Sequence, residues 1–210
     1  LEGGTLMYVI GMTGGVGSGK TQAACLLKEI ASAELLIADE LGHVAMEKGT
    51  DGYEEIIESF GTDILDADGQ ISRTVMAEKV FHDKERLALL NGIIHPKVKA
   101  YIRQYIDDRK DQEGVLILEN AILFETGCDA FCDEIWYIAV SADARKKRLR
   151  QNRGYSDEKS RAIMERQQSD AFFYQRCDKV IDNNGSLEQL KQNLIKEYEL
   201  IQRGRKHAGA

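Results

Sequence analysis

An apolar run, Met7 to Met12 (MYVIGM), passes into a glycine loop, GGVGSGKT at Gly14 to Thr21, and then into Ala23, Leu27 and Ile30 at helical spacing. A continuous apolar run of this length suits a strand buried on both faces, and such strands belong to parallel sheets. The loop matches G-x-x-x-x-G-K-[ST] in full. Its glycines let backbone amides turn inward around a polyphosphate with no Cβ in the way. The helix that follows adds the positive end of its dipole. Gly14, Gly15, Val16, Gly17, Ser18, Gly19, Lys20 and Thr21 are therefore expected to hold a nucleotide. Lys20 would reach the β- and γ-phosphates, and the Thr21 hydroxyl would hold Mg2+. A merely flexible turn into a helix is the alternative, and the strand-loop-helix context weighs against it.

Similar buried-strand runs recur at Leu35 to Ile37, Val115 to Leu118 and Ile135 to Val140, with a short one at Val180 to Ile181. Helical patterns separate them. The alternation implies a parallel sheet with right-handed crossovers. The expected fold class is thus α/β, a three-layer α/β/α body of the P-loop NTPase type around five parallel strands. The core would comprise residues 7–39, 114–144 and 171–203. Residues 40–113 read as a helical insertion, with Tyr53, Ile56, Ile57 and Phe60 on one helix face. His95-Pro96 is expected to open another helix, proline taking its favoured first position ahead of Val98, Ile102, Tyr105 and Ile106. In the final helix Ser186 and Gln189 form a capping box, and Leu187, Leu190, Leu194, Tyr198 and Ile201 line one face.

Composition narrows the function classes. Of the 210 residues 43% are hydrophobic and 30% charged, which is ample for a core and unlike a disordered or fibrous chain. With 28 basic against 35 acidic residues the net charge is −7. That balance argues against nucleic-acid or anionic-membrane partners, although a local basic patch can still bind phosphate. No apolar stretch approaches the ~20 residues of a membrane-spanning helix. Leu1 to Leu6 read as a leader ahead of Met7, with no secretion pattern, so a cytoplasmic chain is expected. Its cysteines, Cys25, Cys128, Cys132 and Cys177, then read as reduced thiols. The spacing of Cys128 and Cys132 would suit half of a metal site, but no second Cys or His pair lies near them in the sequence.

The remaining residues bear on what the nucleotide is for. No N-K-x-D element of a guanine-reading switch is present, and the chain is short for a motor. A small-molecule kinase fits, and it needs a carboxylate to orient or deprotonate the accepting hydroxyl and cations to neutralise the moving phosphoryl group. Asp39, just past Leu35 to Ile37, stands where parallel strands face a ligand crevice. A helix N-cap is its alternative role. Glu119 and Glu125 are rival carboxylates near the end of the Val115 strand, with Glu119 a candidate second partner for the metal. Arg145, Lys146, Lys147, Arg148, Arg150 and Arg153 occur with no acid among them. Lys146, Arg150 and Arg153 share a helix face. Residues 145–170 are expected to close over the nucleotide as a lid and bring charge to the transition state; a solvated basic helix is the alternative.

At this point the sequence resembles the dephospho-coenzyme A kinases over nearly its whole length. The carriers are YVIGMTGGVGSGKT from Tyr8, IAD at Ile37 to Asp39, FGTDILDADGQISR ending at Arg73, LNGIIHP ending at Pro96, and VIDNNGS at Val180 to Ser186. The glycine loop alone is generic; FGTDILDADGQISR followed at this spacing by LNGIIHP is far more specific. The resemblance implies transfer of the γ-phosphate of ATP to the ribose 3′-hydroxyl of dephospho-CoA, giving CoA and ADP. It makes Asp39 the general base, and 40–113 the substrate domain with Arg73 and His95 facing the CoA precursor; capping the helix at Pro96 is the alternative role of His95. It makes Arg148 to Gln167 the lid, with Arg148 and Arg153 as its catalytic cations. Asn183, Asn184 and Gly185 match the loop that approaches adenine. ATP, Mg2+ and dephospho-CoA are the expected small molecules, and a monomer or small homo-oligomer the expected state.

Three positions depart from the family pattern. Ile37 stands where an aspartate is common two residues before the base, so hydroxyl or metal orientation rests more on Asp39. Ala121 replaces a proline, and Asn152-Arg153 reverses the usual Arg-Asn pair of the lid. Rival readings are a kinase acting on a nucleoside monophosphate or another metabolite, and a P-loop switch without catalysis.

Overall fold

The computed structural model describes residues 6–81 and 83–208; most of the segment read as a leader, residues 1–5, lies outside them. Its centre is a five-stranded parallel sheet of β1 (Met7–Thr13), β2 (Glu34–Ile37), β3 (Gly114–Glu119), β4 (Glu134–Ala139) and β5 (Lys179–Asp182), in the order β2-β3-β1-β4-β5. The expected strands are all present. β1 is central, with Ile10 opposite Ile117 of β3 and Met12 opposite Trp136 of β4. Every residue of β4 is buried, as a strand covered on both faces requires.

Side chains alternate across β4, and the alternation builds the two faces. Trp136 and Ile138 enter the larger core with Ala23, Ala24 and Leu27 of α1 (Lys20–Ala31) and Leu190, Leu194 and Tyr198 of α9 (Leu187–Ala208). Tyr137 and Ala139 pack on the opposite side with Phe173. The capping box of α9 forms as expected: the Ser186 N–H donates to Gln189 Oε1 at 2.8 Å, and the Gln189 N–H donates to Ser186 Oγ at 3.2 Å. Leu187, expected on the buried stripe, is 51% exposed; it lies in the first turn, ahead of the residues packed on the sheet.

After β4 the chain forms α6 (Ala142–Arg153), α7 (Asp157–Glu165) and α8 (Asp170–Arg176). A serine begins each one. Ser141, Ser156 and Ser169 accept hydrogen bonds from the backbone N–H groups of Ala144, Lys159 and Phe172, so the sequence itself divides this region into three short helices. Gly154 ends α6 with a left-handed φ of 63°.

The chain divides into two compact units. One runs through β1 to Ile37 and resumes at Lys110; the other is Ala38–Arg109. The second contains α2 (Ala38–Val44), α3 (Asp51–Phe60), α4 (Arg73–Phe81) and α5 (Lys84–Asp107). Its core is Ile56, Phe60, Ile64, Met76, Leu90 and Ile93. Between α3 and α4 the DILDADGQIS stretch closes a tight loop. Asp66 Oδ1 accepts from the N–H groups of Asp68 and Gln70, and Leu65 pairs with Ile71.

One expectation fails here. His95-Pro96 does not open a helix; both residues lie inside α5, which begins at Lys84 with Asp83 as its cap. The Asp83 carboxylate accepts from the N–H groups of Glu85 and Arg86 at 3.0 and 2.9 Å. Proline in a helix interior loses one hydrogen bond, at a cost of about 3 kcal/mol. Burial of Leu90 and Ile93 before it and Val98 and Ile102 after it outweighs that cost, because ~25 cal/mol per Å2 over four large side chains exceeds it. His95 is accordingly no helix cap.

Candidate active site

The glycine loop leaves the carboxyl end of β1 and enters α1 at Lys20. Gly17 (φ 76°) and Gly19 (φ 83°) hold left-handed backbone that other residues resist. At Gly19 there is a second constraint, since a Cβ would meet the Asn183 side-chain nitrogen at 2.7 Å. Lys20 Nζ donates to the Gly15 carbonyl at 3.4 Å, so it folds back over the loop. The Thr21 hydroxyl donates to Glu119 Oε2 at 3.1 Å. Glu119 ends β3 and is only 4% exposed. Of the two rival carboxylates it is the one brought to the loop. A hydroxyl and a carboxylate side by side form an oxygen donor set suited to a hard cation such as Mg2+.

The loop of Asn183 to Gly185 also reaches the glycine loop. Asn183, 4% exposed, donates from Nδ2 to the Ser18 carbonyl at 2.7 Å. Asn184 accepts from the Ser141 N–H at 2.8 Å through Oδ1 and bonds Asp182 through its amide nitrogen. Gly185 follows, against the Gln189 side chain of the capping box.

The basic cluster does not behave as one solvated face. Arg148 donates to the Ser18 carbonyl at 3.2 Å and to the Asn183 carbonyl at 2.6 Å, so it ties the two loops together. Arg145, 6% exposed, turns inward and donates from Nε to the Val16 carbonyl at 2.9 Å. Arg150 pairs with Asp157 across the α6–α7 junction and Lys146 with Asp143. Arg153 is exposed at the end of α6. Sequence reasoning missed Gln167, whose Oε1 accepts from the Val16 N–H at 2.9 Å and from Arg145 at 2.8 Å. Nothing local in the sequence marks it.

In the helical unit, Asp39 lies two residues past β2, exposed in the first turn of α2 rather than capping it. Arg73, at the start of α4, lines a cavity of about 480 Å3. Its other walls include His43, Glu47, Gln70, Met76 and Leu90, and His95 is not among them. Burial holds the His95 imidazole below its ordinary value of 6.5. Among the described residues no group of three or more His, Cys, Asp and Glu is placed to hold a metal. Cys132 hydrogen-bonds the Cys128 carbonyl instead, and burial pushes its thiol well above the ordinary range.

A parallel sheet in this strand order, with a G-x-x-x-x-G-K-[ST] loop between its central strand and α1 and a carboxylate ending the adjacent strand, defines a P-loop kinase of the three-layer α/β class. The chain belongs to the dephospho-CoA kinase family, whose family model matches residues 8–189. A dephospho-CoA kinase of Corynebacterium diphtheriae is 38% identical over 196 residues, covering 91% of this chain and 98% of its own. Among solved structures, TT1252 from Thermus thermophilus superposes with a TM-score of 0.75 at 28% identity, over 91% of this chain and 96% of its own. A dephospho-CoA kinase from Campylobacter jejuni shares the fold with a TM-score of 0.64 at 20% identity, over 93% and 98%.

Proposed function

We propose that the protein transfers the γ-phosphate of ATP to the ribose 3′-hydroxyl of dephospho-CoA, the last step of coenzyme A synthesis, in the cytoplasm. The observation that carries this reading is the family match running unbroken from β1 into the first turn of α9. The 3′-oxygen attacks the γ-phosphorus, the bond to the β–γ bridging oxygen breaks, and ADP leaves. Asp39 takes the hydroxyl proton; its exposure after β2 leaves the carboxylate open to an incoming alcohol. Amides of the glycine loop and Lys20 hold the β- and γ-phosphates. Mg2+ would be held by the Thr21 hydroxyl with Glu119 beside it, and would neutralise charge on the phosphate oxygens.

The two lid arginines divide their work. Arg148, fixed on the loop carbonyls, adds positive charge beside the phosphates, while Arg153 is exposed and free to approach the moving phosphoryl group. Asn183 to Gly185 border the adenine. In the helical unit, Arg73 pairs with a phosphate of the substrate and the apolar part of the cavity beside it receives the long arm of dephospho-CoA. His95, on α5, stands outside that lining.

Purified protein with ATP and Mg2+ tests the reading directly. ADP release should depend on dephospho-CoA and ignore AMP and CMP. Asp39→Asn should lower kcat by at least 100-fold with ATP affinity nearly unchanged, the scale expected for loss of a general base. Full turnover in that variant would remove Asp39 from the mechanism.

A further inference from the structure

We propose that Arg145 and Gln167 form a clamp on the Val16 peptide that sets the phosphate loop in its binding shape and ties lid position to nucleotide occupancy. The three groups close a ring. Arg145 Nε donates to the Val16 carbonyl at 2.9 Å, the Val16 N–H donates to Gln167 Oε1 at 2.9 Å, and a second Arg145 nitrogen donates to the same Gln167 oxygen at 2.8 Å. Both polar groups of one peptide-linked residue are thus held by side chains that come from the lid region.

The loop needs such a hold. Val16 lies between glycines, and Gly17 and Gly19 are left-handed, so the backbone here has more freedom to lose than any other stretch of its length. Its far shoulder, the Ser18 carbonyl, is fixed by Asn183 and Arg148. Without the clamp the near shoulder would keep the turn in which the Ser18 N–H bonds the Gly15 carbonyl and the long contact of Lys20 Nζ with that same carbonyl. Amides that wander before binding must be ordered when the phosphates arrive, and affinity falls by that cost.

Each clamp residue is itself positioned. Arg145 is nearly buried and has Asp170 Oδ1 at 3.7 Å from its guanidinium, and that oxygen also accepts from the Tyr137 hydroxyl at 2.7 Å. Tyr137 stacks on Phe173 with ring centroids 4.7 Å apart, which anchors α8 to the sheet. Gln167 follows α7, and its N–H bonds the Met164 carbonyl in the last turn of that helix. A shift of α7 therefore carries Gln167 off the Val16 N–H. Gly15 records the closeness of the clamp, because a Cβ there would overlap the Arg145 guanidinium. Neither clamp residue touches the reacting atoms; both are positioning residues.

The inference rests on the kinase reading for its catalytic consequence but not for its binding one. The test titrates ATP with Mg2+ calorimetrically and follows tryptic cleavage of the lid with and without the nucleotide. In the wild type, nucleotide should protect cleavage after Arg153, Arg161 and Arg166. In Gln167→Met the Kd for ATP should rise about tenfold, the effect of losing one well-placed hydrogen-bonding group, and protection should vanish. Gln167→Glu, whose carboxylate can accept the same two hydrogen bonds, should keep the protection. In turnover, KM for ATP should rise in Gln167→Met while KM for dephospho-CoA stays within about twofold. An unchanged Kd, equal rises in both KM values, or a wild-type lid that nucleotide does not protect would each overturn the clamp. Gly15→Ala supplies the same readouts with both clamp residues in place, should Gln167→Met fail to fold. Because the titration uses no second substrate, absence of turnover with dephospho-CoA would count against the proposed function and leave the clamp standing.

Discussion

Glu119 illustrates how much one residue's surroundings decide. A carboxylate 4% exposed at the end of a parallel strand is costly to bury, and the Thr21 hydroxyl donates to it at 3.1 Å. A cation at that position would repay the burial. Glu119→Gln keeps the shape and can still accept from Thr21 but removes the negative charge. The Mg2+ concentration for half-maximal activity should then rise about 10–100-fold, the usual effect of altering a metal's outer partner, while the thermal midpoint holds or rises. A variant that folds normally with an unchanged Mg2+ requirement would take Glu119 out of the metal site.

At the scale of elements, α5 is where local rules and tertiary packing conflict. Pro96 reads as a helix opener because proline is favoured at the first turn, whereas the helix continues through it, with Leu90 and Ile93 buried before it and Val98 and Ile102 after it. Pro96→Ala should restore the missing hydrogen bond and raise the stability of the helical unit by roughly 1–2 kcal/mol, less than the full ~3 kcal/mol because proline also stiffens the unfolded chain. Urea denaturation measures this; a loss of stability would mean that the unit's packing requires the proline. The same contrast explains what the sequence discloses. The glycine loop, the strands and the Ser186–Gln189 box are written in adjacent residues, and all form as read. The contact of Val16 with Gln167 spans 151 residues, and the inward turn of Arg145 depends on the same distant partners. A run of basic residues looks alike whether it faces water or grips a loop, so composition alone could not separate Arg145 and Arg148 from Arg153.

For the whole molecule, pH acts through groups whose proton affinity changes on folding. Burial lowers the His95 pKa below 6.5, so the folded chain binds fewer protons there than the unfolded one. Stability therefore falls as pH drops through about 6.5 and levels off below the folded value. Asp63, held below 3.8 by the hydrogen bond from Lys79, acts in the same sense further down: its contribution is present above 3.8 and is lost as pH falls through the lower folded value. Thermal midpoints recorded between pH 7.5 and 5.5 should decline, and His95→Gln should flatten that decline; an identical slope in the variant would assign it to other groups. A different consequence follows from the Ser18 carbonyl, where Asn183 and Arg148 meet. Asn183 immediately follows β5, the last strand to be synthesised and the edge of the sheet beside β4. A nascent polypeptide on the ribosome therefore carries the glycine loop and Arg148 before it carries Asn183, the second donor to the Ser18 carbonyl. Copies that end before residue 183 should grip ATP more weakly than the full chain, since one of the two donors to that carbonyl is missing.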